Sequence, residues 1–172
     1  MDRCYKLKVL MLVLTCVLIP KNLIYSNMMD VNYETKASSI QSKGTKQQNK
    51  EVINITNEEL LLLSKLVTGE ARGESYEGQV AVAAVVINRV KDPRVPNTIR
   101  DVIYQKNAFS VVKDGSINMQ PTESAYTAAQ EALYGSDPTN RAIYFWNPDI
   151  ATCKWIKTLN PYMRIGNHVF AK

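Results

Sequence analysis

Hydrophobic residues along this chain fall into a few dense runs that predict helices. The run ELLLLSKLV, just before Gly69, predicts a short and strongly apolar helix. Thr56, just before this run, and Glu59, its first residue, form a capping-box pattern. In this pattern each side chain bonds the backbone of the other residue. A second run, from Val80 to Val90, is apolar almost all round. A helix of that kind is buried in the middle of a domain.

Polar and small residues mark where these helices begin and end. Ser75 is placed to cap the second helix, and Asp92-Pro93 ends it. Thr98 is placed to cap a short helix, IRDVIY. Pro121 suits the first position of a further helix, TESAYTAAQEALYG, and Gly135 lies just past its end.

Two later segments, Ala142 to Phe145 and Asn167 to Phe170, predict short strands or ordered loops. The expected class is therefore α+β, mainly α with minor β, in one domain over residues 56–172. Residues 27–55 are rich in Ser, Lys, Gln, Asn and Thr and lack apolar periodicity. Such a segment buries too little apolar surface to fold, so it predicts a flexible polar linker.

The first 26 residues predict an export signal. Arg3, Lys6 and Lys8 precede a 12-residue apolar run from Val9 to Pro20. A membrane-spanning helix needs about 20 residues, so this run suits a signal peptide better. No clean cleavage pattern precedes Ser26, which leaves an uncleaved membrane anchor open. The expected location is outside the cell membrane, with membrane association through the N-terminus as a further option.

The net charge of +5 lies mostly outside the expected domain. Residues 1–56 carry 8 Lys and Arg against 4 Asp and Glu, whereas residues 57–172 carry 13 against 12. No dense basic run interleaves with aromatic residues. The charge pattern therefore argues against a nucleic-acid-binding protein.

Glu70 is the first candidate for chemistry. It follows Gly69, and Ala71 and Gly73 leave room for a bulky sugar to approach its carboxyl group. Breaking a glycosidic bond requires a carboxylic acid that protonates the bridging oxygen. From the residues alone, an ordinary surface glutamate at a helix end is the simpler interpretation.

His168 is the single histidine of the chain. This count excludes an HExxH motif and a three-histidine zinc site. A Cys-His amidase would need Cys153 to begin a helix near His168, and the sequence there has no helix start. No phosphate loop, dinucleotide fingerprint or EF-hand occurs either. We expect neither a cofactor nor a metal ion.

Aromatic and amide side chains late in the chain are candidates for sugar binding. Sugar rings stack on aromatic faces, and N-acetyl groups meet amide donors. For any single ring core packing is the simpler interpretation, but at least one of the group is expected to line a groove. The candidates are Phe109, Tyr144 and Trp155, with the amides Gln79, Asn147 and Asn167.

Three motifs occur in order along the chain: LVTGEARGESYEGQVAVAAVVINRV at residues 66–90, YFWNP at 144–148 and IGNHVF at 165–170. Together they resemble the SleB/CwlJ family of cell wall hydrolases, the spore cortex-lytic enzymes and their relatives. Their order and spacing fit, and the resemblance runs from about Glu59 to the C-terminus. It implies a lysozyme-like fold and peptidoglycan as the partner.

The resemblance also implies roles for individual residues. Glu70 matches the catalytic acid of the GEAR motif. Phe109 and Ser110 match an FS motif near the cleft, and Tyr144 and Asn147 match a YF-x-NP pattern. His168, in the closing GNHVF motif, either orients the site or satisfies a buried hydrogen bond.

Arg72, beside Glu70, leaves two interpretations open. Its guanidinium either stabilises charge in the site or pairs with Glu74 or Glu77. Those two glutamates are expected to be solvated charges on a helix face. Glu70 would therefore be the single catalytic carboxylate.

The implied activity is that of a lytic transglycosylase, which uses one carboxylate as acid and then as base. Its implied substrate is spore cortex glycan with muramic-δ-lactam, cleaved during germination. The alternatives are a water-using muramidase or glucosaminidase, which would need a second carboxylate, and a wall-binding protein without turnover. A spore protein that inhibits or activates the enzyme is left open.

Overall fold

A computed structural model describes residues 50–172, and the predicted leader and most of the predicted linker lie outside these residues. Helices form most of the ordered structure, with a small sheet at the C-terminal end. The helices are α1 (Asn57–Glu70), α2 (Tyr76–Lys91), α3 (Ile99–Ile103), α4 (Ser110–Asp114) and α5 (Glu123–Leu133). Two 3₁₀ helices span Ser116–Asn118 and Ile156–Thr158. The strands are β1 (Tyr144–Trp146), β2 (Met163–Ile165) and β3 (His168–Ala171).

The core forms where α1, α2 and α5 pack together. Helix α2 is buried along most of its length, as its all-apolar sequence predicts. Its buried residues are Gly78, Val80, Ala81, Val82, Ala83, Ala84, Val85, Val86 and Ile87. The fully buried Leu63 and Leu66 of α1 pack into the same core. This arrangement confirms the predicted class, mainly α with minor β.

The predicted helix starts are confirmed where side-chain caps define them. Thr56 and Glu59 form the capping box, and Ser75 accepts from the backbone of Gly78 at the start of α2. The prediction for Pro121 was wrong. Helix α5 begins at Glu123, because the hydroxyl of Thr122 accepts from a backbone N–H of the first turn and so sets the N-cap one residue after the proline.

The three strands form one antiparallel sheet in the order β1-β3-β2. Ile165 pairs with His168, so a two-residue turn joins β2 to β3. Gly166 occupies the first turn position with a φ of 56°, a left-handed conformation that glycine adopts without strain. The predicted strands near residues 142–145 and 167–170 are confirmed within one or two residues. Strand β2 and helix α4 were not predicted.

Ordered packing begins a few residues before position 56. The backbone N–H of Val52 donates to the carbonyl oxygen of Leu133 at 2.9 Å. Ile53 and Ile55 pack against the core. This end of the predicted linker therefore lies against the domain. Within residues 50–172 no helix has the length and apolar character needed to cross a membrane.

Candidate active site

Glu70 is the last residue of α1, and its carboxylate is held by the start of α4. Its Oε1 atom accepts a hydrogen bond from Ser110 Oγ at 3.0 Å and another from the backbone N–H of Val111 at 3.1 Å. A side chain at Gly69 would collide with Val111. Glycine at position 69 therefore allows the close approach of the two helix ends that brings these donors to Glu70.

The two oxygen atoms of Glu70 have different surroundings. Oε1 accepts two hydrogen bonds, and Oε2 accepts none from residues 50–172. The residue is only partly buried, so part of it can meet a ligand. Such a carboxyl group can hold a proton on Oε2, give it up, and keep its position through the two bonds to Oε1. This geometry suits acid and base chemistry on one side chain.

The expectation that Glu74 is a solvated surface charge was wrong. Only 5% of its side chain is exposed. Its Oε1 accepts from Asn167 Nδ2 at 2.9 Å, and its Oε2 accepts from the backbone N–H of Asn167 at 3.2 Å. Glu77, expected to be solvated in the same way, is exposed. Glu74 therefore joins the start of α2 to the turn between β2 and β3.

His168 lies in the same buried region, next to Asn167 in the chain. Its Nδ1 is 3.8 Å from Glu74 Oε1 and has no hydrogen-bond partner within residues 50–172. The imidazole packs edge-on against Phe145, with ring centroids 5.1 Å apart. Burial lowers the pKa of His168, and the carboxylates of Glu74 and Glu70 oppose this change. Both glutamates therefore act electrostatically on this imidazole.

Arg89, near the end of α2, was missed by the sequence analysis. Its guanidinium lies 4.9 Å from the ring centroid of Phe109 and 5.8 Å from that of Tyr144. Its Nε donates to the carbonyl oxygen of Ile143 at 2.7 Å. Burial lowers the pKa of Arg89 to about 10, opposed by Tyr144 and Glu70. An arginine that interrupts a long apolar helix was the available signal for this residue.

The aromatic candidates divide between the core and the surface. Phe109 is 4% exposed and packs against Phe145, with ring centroids 6.3 Å apart. A buried ring offers no face to a ligand, so the structure does not support the predicted contact between Phe109 and a sugar. Tyr144 and Trp155 are only partly buried and meet edge to face at 5.4 Å. Of these two partly exposed rings, Tyr144 lies beside Arg89.

Three other candidates make side-chain contacts away from Glu70, although Gln79 Nε2 also donates to the backbone carbonyl oxygen of Glu74 at 3.4 Å. Arg72 donates from Nη2 to the sulfur of Met119 at 3.2 Å, rather than to either nearby glutamate. Gln79 Oε1 accepts from Ser124 on α5 at 2.8 Å. The side-chain oxygen of Asn147 accepts from the backbone two residues further on, at 2.9 Å, and so shapes the turn after β1. None of these contacts leads to Glu70.

The structure thus brings together Glu70, Ser110, Tyr144, Asn167 and His168 among the predicted residues, and adds Glu74 and Arg89. A separate polar pocket is lined in part by Asn88, Asp137 and Arg141. None of the residues predicted to form the functional site lines this pocket. Among residues 50–172, no group of three or more His, Cys, Asp or Glu side chains could hold a metal ion.

Comparison with known proteins gives consistent matches. The sequence model of the family described as Cell Wall Hydrolase matches residues 73–171. The spore cortex-lytic enzyme of Bacillus cereus is 44% identical over 149 residues, which cover 82% of this chain and 58% of that enzyme. The enzyme of the same name from Bacillus subtilis is 48% identical over 117 residues, covering 68% of this chain and 38% of that enzyme.

A solved structure matches the fold as well. The catalytic domain of the germination-specific lytic transglycosylase SleB from Bacillus anthracis is 45% identical, with a TM-score of 0.66. The match covers 69% of this chain and 98% of that domain. The chain spans about 58% of the length of the Bacillus cereus relative. These matches confirm the predicted lysozyme-like, mainly α fold, and they show that the chain belongs to the cell wall hydrolase family.

Proposed function

We propose that this chain cleaves the glycan strands of peptidoglycan as a lytic transglycosylase, with Glu70 as its single acid and base. The observation that carries the proposal is the carboxyl group of Glu70, which Ser110 and Val111 hold at Oε1 and which has no such bond at Oε2. The 45% identity to a solved lytic transglycosylase domain supports the same activity.

The first step is acid catalysis. Glu70, protonated on Oε2, donates its proton to the oxygen that links muramic acid to N-acetylglucosamine. The bond from C1 of the muramic residue to that oxygen breaks, and the electron pair leaves with the oxygen. An oxocarbenium-like centre forms at C1. The hydrogen bonds to Oε1 stabilise the carboxylate that the step leaves behind.

The second step uses the same side chain as a base. The carboxylate of Glu70 takes the proton of the C6 hydroxyl of the muramic residue. The C6 oxygen then bonds to C1 and closes a 1,6-anhydro ring. Glu70 is protonated again at the end, so no water is consumed. Arg89, which attracts the charge of Glu70, stabilises the ionised form between the two steps.

The environment of Glu74 favours this route over hydrolysis. An inverting or retaining hydrolase uses a second carboxylate to activate water or to bond the sugar. Glu74 is near enough to share His168 with Glu70, but its two oxygens bind Asn167 and its side chain is 5% exposed. A carboxylate in that position is poorly placed to reach a sugar. A single-carboxylate mechanism therefore fits the site better.

The substrate class follows from the relatives. We propose spore cortex glycan with muramic-δ-lactam, cleaved during germination, because relatives at 44–48% identity are spore cortex-lytic enzymes. Tyr144 and Trp155, partly exposed and edge to face, supply a wall on which a sugar ring can stack. We place the activity at the cell wall or cortex.

Export is a further part of the proposal. It would use residues 1–26 as signal peptide or anchor, and these lie outside the described residues. Membrane association through this N-terminus belongs to the same proposal. The proposal also includes a spore protein that binds the enzyme and inhibits or activates it.

The test compares Glu70→Gln with Glu77→Gln in the 172-residue chain. Both replace a glutamate by its amide, but Glu77 is exposed on α2. Release of glycan fragments from purified cortex should fall by about 10²- to 10⁴-fold for the first variant and stay unchanged for the second. Equal release by Glu70→Gln and the wild type would overturn the role of Glu70. No release by the wild type would favour a wall-binding protein.

A further inference from the structure

We propose that Glu74 is a positioning residue for the reaction at Glu70, which it serves by clamping the turn that immediately precedes His168. This inference rests on the proposed function, because it assigns a residue to the same reaction. Glu74 itself touches neither the substrate nor the reacting atoms. Its effect passes through Asn167 and His168.

The clamp is a two-point contact across the chain. Asn167 donates to Glu74 from its side-chain Nδ2 at 2.9 Å and from its backbone N–H at 3.2 Å. A pair of bonds to the two oxygens of one carboxylate fixes both the position and the rotation of the turn. Gly166 belongs to the clamp, because a side chain there would collide with Glu74 Oε2.

Burial makes this contact costly to break. A carboxylate with 5% of its side chain exposed needs hydrogen-bond donors, and Asn167 supplies them. Removing the donors would leave an unpaired charge in the protein. The start of α2 and the turn between β2 and β3 are therefore held together, although Glu74 and Asn167 are 93 residues apart in the chain.

The backbone of His168 is held by its pairing with Ile165, so the orientation of the imidazole depends on the neighbours of the side chain. Its Nδ1 makes no hydrogen bond to the residues that the structure describes. The groups that face its ring are Glu74, 3.8 Å from Nδ1, the ring of Phe145 on β1 and, through its charge, Glu70 from α1. The place of the imidazole beside Glu70 thus depends on the turn that Glu74 holds.

The competing explanation is a purely structural role for Glu74. Such a role would lower the stability of the variants and leave the chemistry of the folded protein unchanged. A positioning role predicts a change in kcat and in the titration of His168 while the protein remains folded. The two explanations therefore differ in measurements made on the folded state.

The first experiment measures kcat and KM for glycan cleavage by the 172-residue chain and its Glu74→Gln variant. We expect kcat to fall by about 10²-fold, since a small displacement caused by a substitution away from the reacting atoms can cost that much, and KM to change far less. Glu77→Gln is the matched control and should keep the wild-type kcat. Equal kcat values for Glu74→Gln and the wild type would overturn the proposal.

The second experiment needs no activity. Because His168 is the only histidine, NMR of the imidazole protons reports this residue alone. Asn167→Ala removes the Nδ2 donor of the clamp and keeps the Glu74 charge, so a changed titration of His168 in this variant reports a displaced imidazole, with no change expected in Glu77→Gln. An unchanged histidine titration in Asn167→Ala would overturn the clamp, even if the wild type cleaves no glycan. The failure of the proposed function and that of this inference are thus distinguishable.

A milder variant covers the case in which Glu74→Gln does not fold. Asn167→Ala removes the Nδ2 donor at an exposed position and keeps the backbone donor. We expect a smaller fall in kcat in the same direction, and a loosened clamp should also change the titration of His168. Wild-type values of both quantities in Asn167→Ala would contradict the proposal.

Discussion

Two regions of this domain are stabilised by different physics. The helical core, formed by α1, α2 and α5, is apolar and held by burial. The charged cleft, formed by Glu70, Glu74, Arg89 and His168, places ionisable groups where each depends on a particular partner. Substitutions in the helical core should therefore act mainly on the stability of the domain. Substitutions in the charged cleft should act mainly on the rate of the reaction.

The largest effect is expected in the helical core. Leu63 on α1 is fully buried, so Leu63→Ala should leave a cavity and lower the free energy of unfolding by about 2–5 kcal/mol. Urea unfolding followed by circular dichroism measures this. Below its unfolding transition the variant should keep the wild-type KM. A change in unfolding free energy under about 0.5 kcal/mol, typical of a surface site, would contradict the claim that the helical core is held by burial.

A smaller effect, on rate alone, is expected at the edge of the charged cleft. Ser110→Ala removes one of the two hydrogen bonds to Glu70 Oε1. A hydrogen bond to a charged group contributes about 1.5 kcal/mol at the low end, so kcat should fall roughly tenfold. Stability should change far less than in Leu63→Ala, because Ser110 is exposed.

The matched control for Ser110→Ala is Ser136→Ala. The hydroxyl of Ser136 donates to Glu131 at 2.9 Å, a similar serine–glutamate bond outside the charged cleft. Steady-state kinetics on soluble glycan fragments should separate the two variants. Equal rates for both would mean that the bond to Oε1 has no part in the reaction.

The smallest effect is a pH dependence of stability from His168. Burial lowers its pKa below the 6.5 of an unperturbed histidine, with Glu74 and Glu70 opposing. As pH falls below 6.5, His168 becomes protonated in the unfolded chain but stays neutral in the folded protein. Stability should therefore decrease as pH falls, until the pH reaches the folded-state pKa.

This contribution has its own pH window. Asp92 and Asp137 have pKa values lowered from 3.8, so their contributions disappear only in more acidic solution. Urea unfolding between about pH 7 and pH 5 isolates histidine, whose ordinary titration lies there. His168→Gln should remove the slope. An identical slope in this variant would show that the slope has another source.

The features that could be predicted from the sequence depend on contacts between residues close together in the chain. Thr56, Ser75 and Thr98 cap helices through bonds to residues three positions further on. Their effect is local, so the sequence reveals it directly. The apolar run of α2 likewise predicts burial without knowledge of its partners. The resemblance to a known family added Glu70 and Ser110, which the structure places in contact.

The parts of the site that could not be predicted depend on contacts between distant parts of the chain. Glu74 looks like a solvated helix-end charge because its partner lies 93 residues away, in a turn whose position only the fold determines. Arg89 is buried by Phe109 and Tyr144, which come from separate segments. Phe109 could not be assigned to core or groove, because an aromatic residue suits both until its neighbours are known.

The most direct test of the central claim is the chemistry of the new glycan ends. Mass spectrometry of the fragments that the 172-residue chain releases from purified cortex distinguishes anhydro from hydrated products. If Glu70 acts alone as acid and base, the muramic ends should carry the 1,6-anhydro ring, one water lighter than a reducing end. Reducing muramic or glucosamine ends would contradict the account, because water would then be the acceptor and another group would have to activate it.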